Sequence, residues 1–178
     1  MKTYISYTLA LVMLFFVGCS VEPLEDSLLM EKNLTTETTR SQPFTITGYG
    51  DLLITPAHST FNTECEGYTL IETEGFSTEA TLGHFTTTTR ICTDHADFYE
   101  MKGVHTLASG DELYFETIEI VGWGSSESSM LLIFTGGTGM FDGAYGSLDL
   151  VEETDFQSPT NGTYTNQGEG MLMMGRGI

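Results

Sequence analysis

The chain has 178 residues, with 25 Asp and Glu against 6 Lys and Arg, so its formal net charge at pH 7 is -19. This charge excludes polyanionic partners, because a nucleic-acid backbone or an anionic lipid surface repels an acidic protein. An excess of acids is typical of a soluble, solvated outer face. It would also attract cations or basic partners, and nothing in the spacing of the acids selects between these two interpretations.

The first 18 residues have the pattern of an export signal. Lys2 supplies a positive charge near the start, and the apolar run from Leu9 to Val17 is too short to cross a bilayer comfortably. Gly18 then provides the small residue that a cleavage point requires. We therefore predict that residues 1–18 are a signal peptide and that the mature chain begins at Cys19.

The residues around this cleavage point, Phe16-Val17-Gly18-Cys19, resemble the lipobox of bacterial lipoproteins. The resemblance implies that Cys19 is acylated and that its fatty chains bind a membrane, at about 0.8 kcal/mol for each buried methylene. It places the protein in a bacterial cell envelope, on either the periplasmic or the outer face. The alternative is an uncleaved membrane helix from Tyr4 to Val21, a run that is marginal in length and interrupted by polar residues.

Residues 19–42 are expected to form a flexible tether. The segment has few large apolar residues, several acids and a run rich in threonine at 34–39. Such a composition buries too little apolar surface to offset the entropy of ordering the chain. The remaining residues, 43–178, have the size of one domain and are numerous enough to bury a core.

Strands are favoured over helices in this domain, because it is rich in Thr, Tyr, Phe and Gly and has no sustained apolar period of 3.6 residues. Short segments bounded by turn residues predict eight strands: Thr45–Thr55, Tyr68–Thr73, Thr81–Cys92, Phe98–Leu107, Glu112–Val121, Met130–Thr135, Ser147–Thr154 and Thr163–Met174. Eight strands with short connections predict an all-β fold. A small closed antiparallel barrel is expected, since closure leaves no open sheet edge.

A glycine-rich segment, residues 135–147, separates the sixth and seventh predicted strands. Glycines suit a sharp corner because they tolerate positive φ and close backbone approach, and Phe141 and Ala144 can plug the end of the barrel. The residues assigned to this structural turn are Gly136, Gly137, Gly139, Phe141, Gly143 and Gly146. A phosphate-binding loop is the rival interpretation, but the segment is a poor helix start and lacks Gly-Lys-Ser/Thr.

The same segment is similar to the signature Gly-Gly-Thr-Gly-x-Phe-x-x-Ala-x-Gly of the barrel shared by allene oxide cyclases and plant dirigent proteins, and of related bacterial proteins of unassigned role. Residues 82–86 and 106–113 also resemble stretches of those bacterial proteins, in the same order. The resemblance implies a calycin-like barrel over most of the domain. It transfers no catalytic residue, because the matching signature is structural, and no catalytic residue is assigned.

Two cysteines remain once Cys19 is assigned to lipid. Cys65 and Cys92 lie at similar distances from a hairpin expected to bend near Thr78, and an exported chain meets an oxidising compartment. We therefore predict a disulfide between them, which would contribute roughly 3 kcal/mol by the chain-entropy model.

The histidines, His58, His84, His95 and His105, are not part of any recognised catalytic spacing such as Gly-x-Ser-x-Gly or His-Glu-x-x-His. A metal site is the alternative to the disulfide, with both cysteines joined by His95, Asp94 or Asp97. It lacks a tight Cys-x-x-Cys or His-x-x-x-His pair, so we predict no metal and no cofactor. His84 and His105 can each face either side of the barrel wall and are the histidines expected to line a cavity.

Two further features have an ordinary and a functional interpretation. The acidic run Glu64, Glu66, Glu72 and Glu74 is expected to be solvated surface, with calcium as the weaker alternative because no Asp-x-Asp-x-Asp-Gly loop is present. Trp123 lies between two glycines, where an exposed aromatic could contact a glycan or a partner. Single exposed aromatics are nevertheless common.

These observations predict a lipid-anchored envelope protein whose barrel acts as a small-ligand-binding or interaction module. A barrel of eight strands is either filled by side chains or just wide enough for one small ligand. In the second case we expect the ligand to be apolar. The alternative, which the resemblance to allene oxide cyclases permits, is an isomerase or cyclase acting on an apolar small molecule. A purely structural surface component is the third possibility. The membrane is the expected partner through the lipid anchor, no nucleic acid is expected, and no protein partner is identified.

Overall fold

The computed structural model describes residues 40–96, 99–122 and 125–175, which form a closed barrel of eight antiparallel strands. The strands follow one another around the barrel in chain order, and the last pairs with the first. They are β1 (Arg40–Thr55), β2 (Thr69–Glu79), β3 (Gly83–Thr93), β4 (Tyr99–Leu107), β5 (Glu112–Val121), β6 (Glu127–Gly137), β7 (Tyr145–Ser158) and β8 (Asn161–Met174). The predicted fold class is confirmed. Over the described ranges, no helix has the length and apolarity needed to cross a membrane.

β1 begins earlier than the sequence predicted. It starts at Arg40, whereas the tether was expected to continue to residue 42 and the first strand to begin at Thr45. Pro43 is tolerated inside the strand because β2 pairs with β1 only from Ile46 onwards, so the first residues of β1 have a strand neighbour on one side alone. Gln42 is buried by this pairing. The tether as predicted was therefore too long at its C-terminal end.

β2 is also longer than expected, because it continues to Glu79 instead of ending at Thr73. In its second half, small and polar residues face inward and a large aromatic residue faces outward, which is the reverse of the usual arrangement. Gly75 and Ser77 are buried, while the intervening Phe76 is 55% exposed. Alternation of apolar and polar residues could not predict this half of the strand from the sequence, because small and polar residues occupy its inner face.

An apolar cluster fills one end of the barrel. Phe44 packs edge-on against Phe85 and Phe134, with ring centroids 6.4 and 5.2 Å apart, and Phe141 lies 6.3 Å from Phe85. All four rings are buried. Fully burying one such side chain contributes about 1.5–3 kcal/mol, so this cluster holds the end of the barrel closed.

The glycine-rich connection between β6 and β7 forms the corner at this end. It contains a short 3₁₀ helix, Gly139–Phe141, and both Phe141 and Ala144 are buried. A positive φ is found at Gly136 (129°), Gly139 (56°), Gly143 (67°) and Gly146 (145°). Gly137 lies so close to the Glu112 carbonyl that a Cβ would clash with it. The corner therefore needs glycine both for its dihedral angles and for close backbone approach.

The structure contains the Cys65–Cys92 disulfide, with the two Cα atoms 5.4 Å apart. The position predicted for the bend of the hairpin was wrong. The β2–β3 hairpin bends at residues 80–82 and not near Thr78, so that Cys92 lies opposite Leu70 in the sheet.

Cys65 reaches its partner because the loop before β2 folds back on itself. The Cys65 amide donates to the side-chain oxygen of Asn62 (3.0 Å), and the Asn62 side-chain amide donates to the Tyr68 carbonyl (2.6 Å). The Tyr68 amide also donates to the Cys65 carbonyl (2.9 Å). A loop held by side-chain to backbone bonds, and not a strand register, therefore positions the bridge.

Candidate functional site

Inside the barrel, a hydrogen-bonded row of polar side chains crosses β2, β3 and β4. Ser77 Oγ and Thr87 Oγ1 are 2.9 Å apart, and Thr87 Oγ1 is 2.8 Å from His105 Nδ1. Thr87 and His105 are direct partners in the β3–β4 register. All three side chains are buried, so the row is shielded from bulk water.

His105 is the innermost titratable group of this row. Its ring lies 4.6 Å from the ring of Phe115 and 5.5 Å from that of Phe85. Burial lowers the pKa of His105 to about 3, which keeps the imidazole neutral at physiological pH. Its Nε2 atom is buried and has no hydrogen-bond partner in the described part of the chain.

The opposite wall of the interior carries Glu152 and Asn166, which are register partners on β7 and β8. Burial raises the pKa of Glu152 to about 7, although its hydrogen bond with Asn166 acts in the lowering direction. The Oδ1 atom of Asn166 is buried, and no described residue gives it a hydrogen bond. Glu152 is half-buried and lies nearer to solvent than His105.

Tyr164 completes this wall and is 4% exposed. Burial raises its pKa to about 12, and the negative charges of Glu152 and Asp51 act in the same direction, whereas its hydrogen bond with Thr73 opposes them. The phenol is therefore protonated at physiological pH and available as a hydrogen-bond donor.

Glycines make room for the rings of Tyr164 and Phe115 in the interior. Gly50 and Gly75 face each other on β1 and β2, and a Cβ on either would lie within 2.8 Å of an atom of the Tyr164 side chain. Gly103 is the register partner of Phe115, whose ring covers it. Side chains from one wall thus fill the space that glycines leave on another, as close packing requires.

The space left among these groups is about 20 Å³. This is enough for one water molecule, which needs at least roughly 10–15 Å³. Pockets that bind small organic molecules usually measure about 300–1,000 Å³. The interior therefore combines titratable and hydrogen-bonding groups with room for a single small polar molecule.

A second buried carboxylate, Glu79, lies at the end of β2 and is 3% exposed. Its Oε2 atom accepts hydrogen bonds of 2.7 Å from the Thr81 amide, the Thr81 hydroxyl and the Leu82 amide. Burial acts to raise its pKa, but these bonds and a fourth from the Thr45 amide outweigh it and lower the pKa below the usual 4.5. Glu79 is thus an ionised cap on the β2–β3 turn.

The outer wall carries a pair of exposed aromatic side chains. Tyr49 and Phe76 are direct partners on β1 and β2, their ring centroids are 6.0 Å apart, and they are 61% and 55% exposed. We call these two residues the aromatic pair. Threonines lie opposite them on the flanking strands, Thr165 beside Tyr49 and Thr86 beside Phe76.

A surface groove on the outer wall crosses β1 to β5 and contains five acids. It is lined by Asp51, Glu64, Glu72, Glu74 and Glu100, together with Arg90, Lys102 and neutral residues. Arg90 pairs with Glu64 and Lys102 with Glu100. No described group of three or more His, Cys, Asp or Glu side chains is arranged to hold a metal ion. Three acids of the acidic run, Glu64, Glu72 and Glu74, therefore line a solvent-facing groove, and Arg90 forms an ion pair with one of them.

The residues singled out from the sequence are dispersed in the structure. His105 lines the interior, whereas His58, His84 and His95 are exposed, and His84 Nδ1 lies 3.0 Å from the Thr78 hydroxyl. The disulfide joins Cys65 to Cys92, so neither sulfur is a free thiolate ligand. The signal segment 1–18, Cys19, Asp97, Phe98 and Trp123 lie outside the described residues.

Sequence reasoning missed most of the polar interior, namely Ser77, Thr87, Glu152, Tyr164 and Asn166. One of them left a signal, because Glu152 alternates in step with Leu148 and Leu150, both of which are buried. A carboxylate in phase with core leucines indicates an inward position.

Comparison with known proteins gives likenesses among solved structures alone. No protein-family model matches the sequence, and no curated protein matches it. Among solved structures, the chain is similar to the pterocarpan synthase dirigent protein GePTS1, with a TM-score of 0.49 and 12% identity over 78% of this chain and 88% of that one. No residue or activity of that protein is transferred to this chain.

Proposed function

We propose that the protein is a lipoprotein of a bacterial cell envelope and that its barrel is an interaction module acting through its outer wall. Three features support this proposal: the lipobox-like sequence at Cys19, the filled interior and the exposed aromatic pair. The aromatic pair is the observation that supports the interaction function most directly.

Anchoring follows from the N-terminal residues. Acyl chains on Cys19 would bind the membrane, and the residues between Cys19 and Arg40 would separate the barrel from it by roughly 25 Å if they form a flexible chain. The charge of -19 would keep an acidic barrel away from an anionic lipid surface. The anchor therefore sets the location of the barrel without burying its outer wall.

The interaction function follows from where the barrel offers surface. A space of about 20 Å³ gives a small apolar ligand no room inside. Aromatic side chains that protrude from a polar wall are characteristic of protein-binding surfaces, where Tyr and Phe contribute large contact areas. A partner with an apolar centre and a basic or neutral rim would complement this acidic wall.

Site-specific photocrosslinking in intact cells tests the interaction. A photoreactive phenylalanine analogue replaces Tyr49 or Phe76, and a control places it at Phe61, which is 86% exposed but lies in the loop before β2. We expect a discrete covalent protein adduct from the first two positions and none from the third. The proposal is wrong if the three positions crosslink alike, or if the aromatic pair gives no adduct.

Metabolic labelling tests the anchor separately. Labelled fatty acid should be incorporated into the unaltered chain and absent from Cys19→Ala, whose unprocessed form should keep residues 1–18. Equal labelling of both chains, or a mature terminus at another residue, would contradict the lipoprotein assignment while leaving the interaction proposal open to its own test.

A second candidate function is an isomerase or cyclase that acts on an apolar molecule inside the barrel. It is favoured by titratable groups in one enclosed space: His105, Glu152 with a pKa raised to about 7 by burial, and Tyr164. The barrel would have to open widely to admit such a substrate, which makes this function the weaker candidate. A small molecule that purifies with the chain would reverse the ranking.

A further inference from the structure

Two residues that line the centre of the barrel each have a buried polar atom without a hydrogen-bond partner among the described residues. These atoms are His105 Nε2, on β4, and Asn166 Oδ1, on β8. Both residues line the same central space, and His105 is only 4% exposed. A buried polar atom without a partner loses its hydrogen bond to water and gains none in return, so two such atoms on residues that line one cavity require an explanation.

The chemistry of the two atoms limits what can satisfy both. Asn166 Oδ1 accepts hydrogen bonds only. The neutral His105 ring either donates from Nδ1 to Thr87 Oγ1 and accepts at Nε2, or accepts at Nδ1 and donates from Nε2. A molecule that contacts both atoms must therefore donate to the amide oxygen and either donate to or accept from the imidazole.

We propose that the centre of the barrel is a binding site for one water molecule, which bridges His105 Nε2 and Asn166 Oδ1. Water donates two hydrogen bonds and accepts two, so it satisfies either form of the imidazole while donating to the amide. A halide would repel the amide oxygen, and an apolar molecule would leave both atoms unpaired. The space of about 20 Å³ matches one water and excludes larger polar molecules.

Gly48 keeps a corner of this polar region open. It is the register partner of both Asn166 and Ser77, and a Cβ at this position would lie 2.6 Å from Asn166 Oδ1 and 2.7 Å from Ser77 Oγ. Any other residue would press on both oxygen atoms. Glycine at this position therefore preserves the polar environment of Asn166 Oδ1.

The bound water would join two networks that the protein alone leaves separate. One is the row Ser77–Thr87–His105 on β2 to β4, and the other is the pair Asn166–Glu152 on β8 and β7. The water would connect strands on opposite sides of the barrel and fix the side chains that meet at its centre. It is a structural ligand and is independent of the proposed interaction through the outer wall.

A crystal structure of the unaltered chain, at a resolution that shows ordered waters, is the first test. We expect one density peak at hydrogen-bonding distance, about 2.7–3.2 Å, from both His105 Nε2 and Asn166 Oδ1. The proposal fails if the space is empty, if the peak contacts only one of the two atoms, or if Asn166 turns its oxygen onto Ser77 Oγ. This test needs no variant and so does not depend on a variant folding.

Water relaxation dispersion in solution is the second test, because it counts water molecules that stay bound for longer than the protein tumbles. His105→Phe removes the imidazole partner, and we expect this variant to hold one long-lived water fewer than the unaltered chain. His84→Phe is the matched control, since His84 is exposed on the outer wall, and its count should not change. An equal count in His105→Phe and the unaltered chain would overturn the proposal.

Discussion

The ionised cap on the β2–β3 turn makes a testable contribution to stability. Glu79→Gln keeps the size and shape of the side chain but removes its charge. The carboxylate accepts three hydrogen bonds of 2.7 Å at one oxygen, from the Thr81 amide and hydroxyl and from the Leu82 amide. A glutamine oxygen can still accept these bonds, but each is weaker without the charge.

The loss of stability expected for Glu79→Gln follows from these hydrogen bonds. Hydrogen bonds to a charged group contribute about 1.5–3 kcal/mol each and neutral ones about 0.5–1.5, and the donors here share one oxygen, so we expect a total loss of about 2 kcal/mol. For a domain of this size, that lowers Tm by about 8 °C. The pKa of Glu79 is lower in the folded state than its usual 4.5, so the stabilisation is present above pH 4.5 and is lost as the pH falls through the folded-state pKa.

Urea unfolding of both chains at several pH values measures this effect. The gap between the unaltered chain and Glu79→Gln should be largest at pH 7 and should shrink steadily below pH 4.5. Glu74→Gln is the matched control, because Glu74 lies exposed on the same strand, and we expect it to cost less than 0.5 kcal/mol. A gap that does not depend on pH, or equal losses in the two variants, would refute the role given to the charge.

Three further predictions concern the core, the disulfide and the interior carboxylate. Cys65→Ser combined with Cys92→Ser should lower the free energy of unfolding by about 3.5 kcal/mol, because the bridge spans 27 residues, and an unchanged urea midpoint would contradict this. Phe141→Ala should cost about 3–5 kcal/mol and the 40% exposed Met140→Ala much less, so similar losses would mean that Phe141 does not plug the barrel. For Glu152, burial raises the folded-state pKa to about 7, so the stability it contributes is present below its usual 4.5 and is lost as the pH rises through 7. Glu152→Gln should therefore gain in urea midpoint relative to the unaltered chain between pH 5 and pH 8, and parallel pH profiles would be inconsistent with a raised pKa at Glu152.

The sequence was sufficient for the number of strands, their sequence along the chain and the closure of the barrel. Period-two alternation was clear where inner positions are apolar, as in β5, where Leu113 and Phe115 are both buried. Period-two alternation did not predict the second half of β2, where Gly75 and Ser77 face inward and Phe76 faces outward. There the inner face must stay small to admit Tyr164 from β8, and this requirement is visible only once the two strands are brought together.

The polar interior was harder to predict because a shift of one residue in register moves every side chain of a strand to the other face. The sequence alone could not decide whether His84 or His105 faces the interior. The pairing of His105 with Thr87 places His105 inside the barrel. Asn166 lies among polar and glycine residues of β8 and shows no alternation that marks it as buried. Glu152 was the exception, since two core leucines share its face.

The interior of the barrel is closed to organic ligands, and native mass spectrometry of the chain purified from its own host tests this closure most directly. After release from detergent, the chain should have the mass of the polypeptide, together with any acyl groups that the proposed lipoprotein would carry, and no other organic molecule should be retained. A retained apolar molecule that is lost in an interior variant such as His105→Phe, and kept in the outer-wall variant His84→Phe, would contradict the claim and favour chemistry inside the barrel.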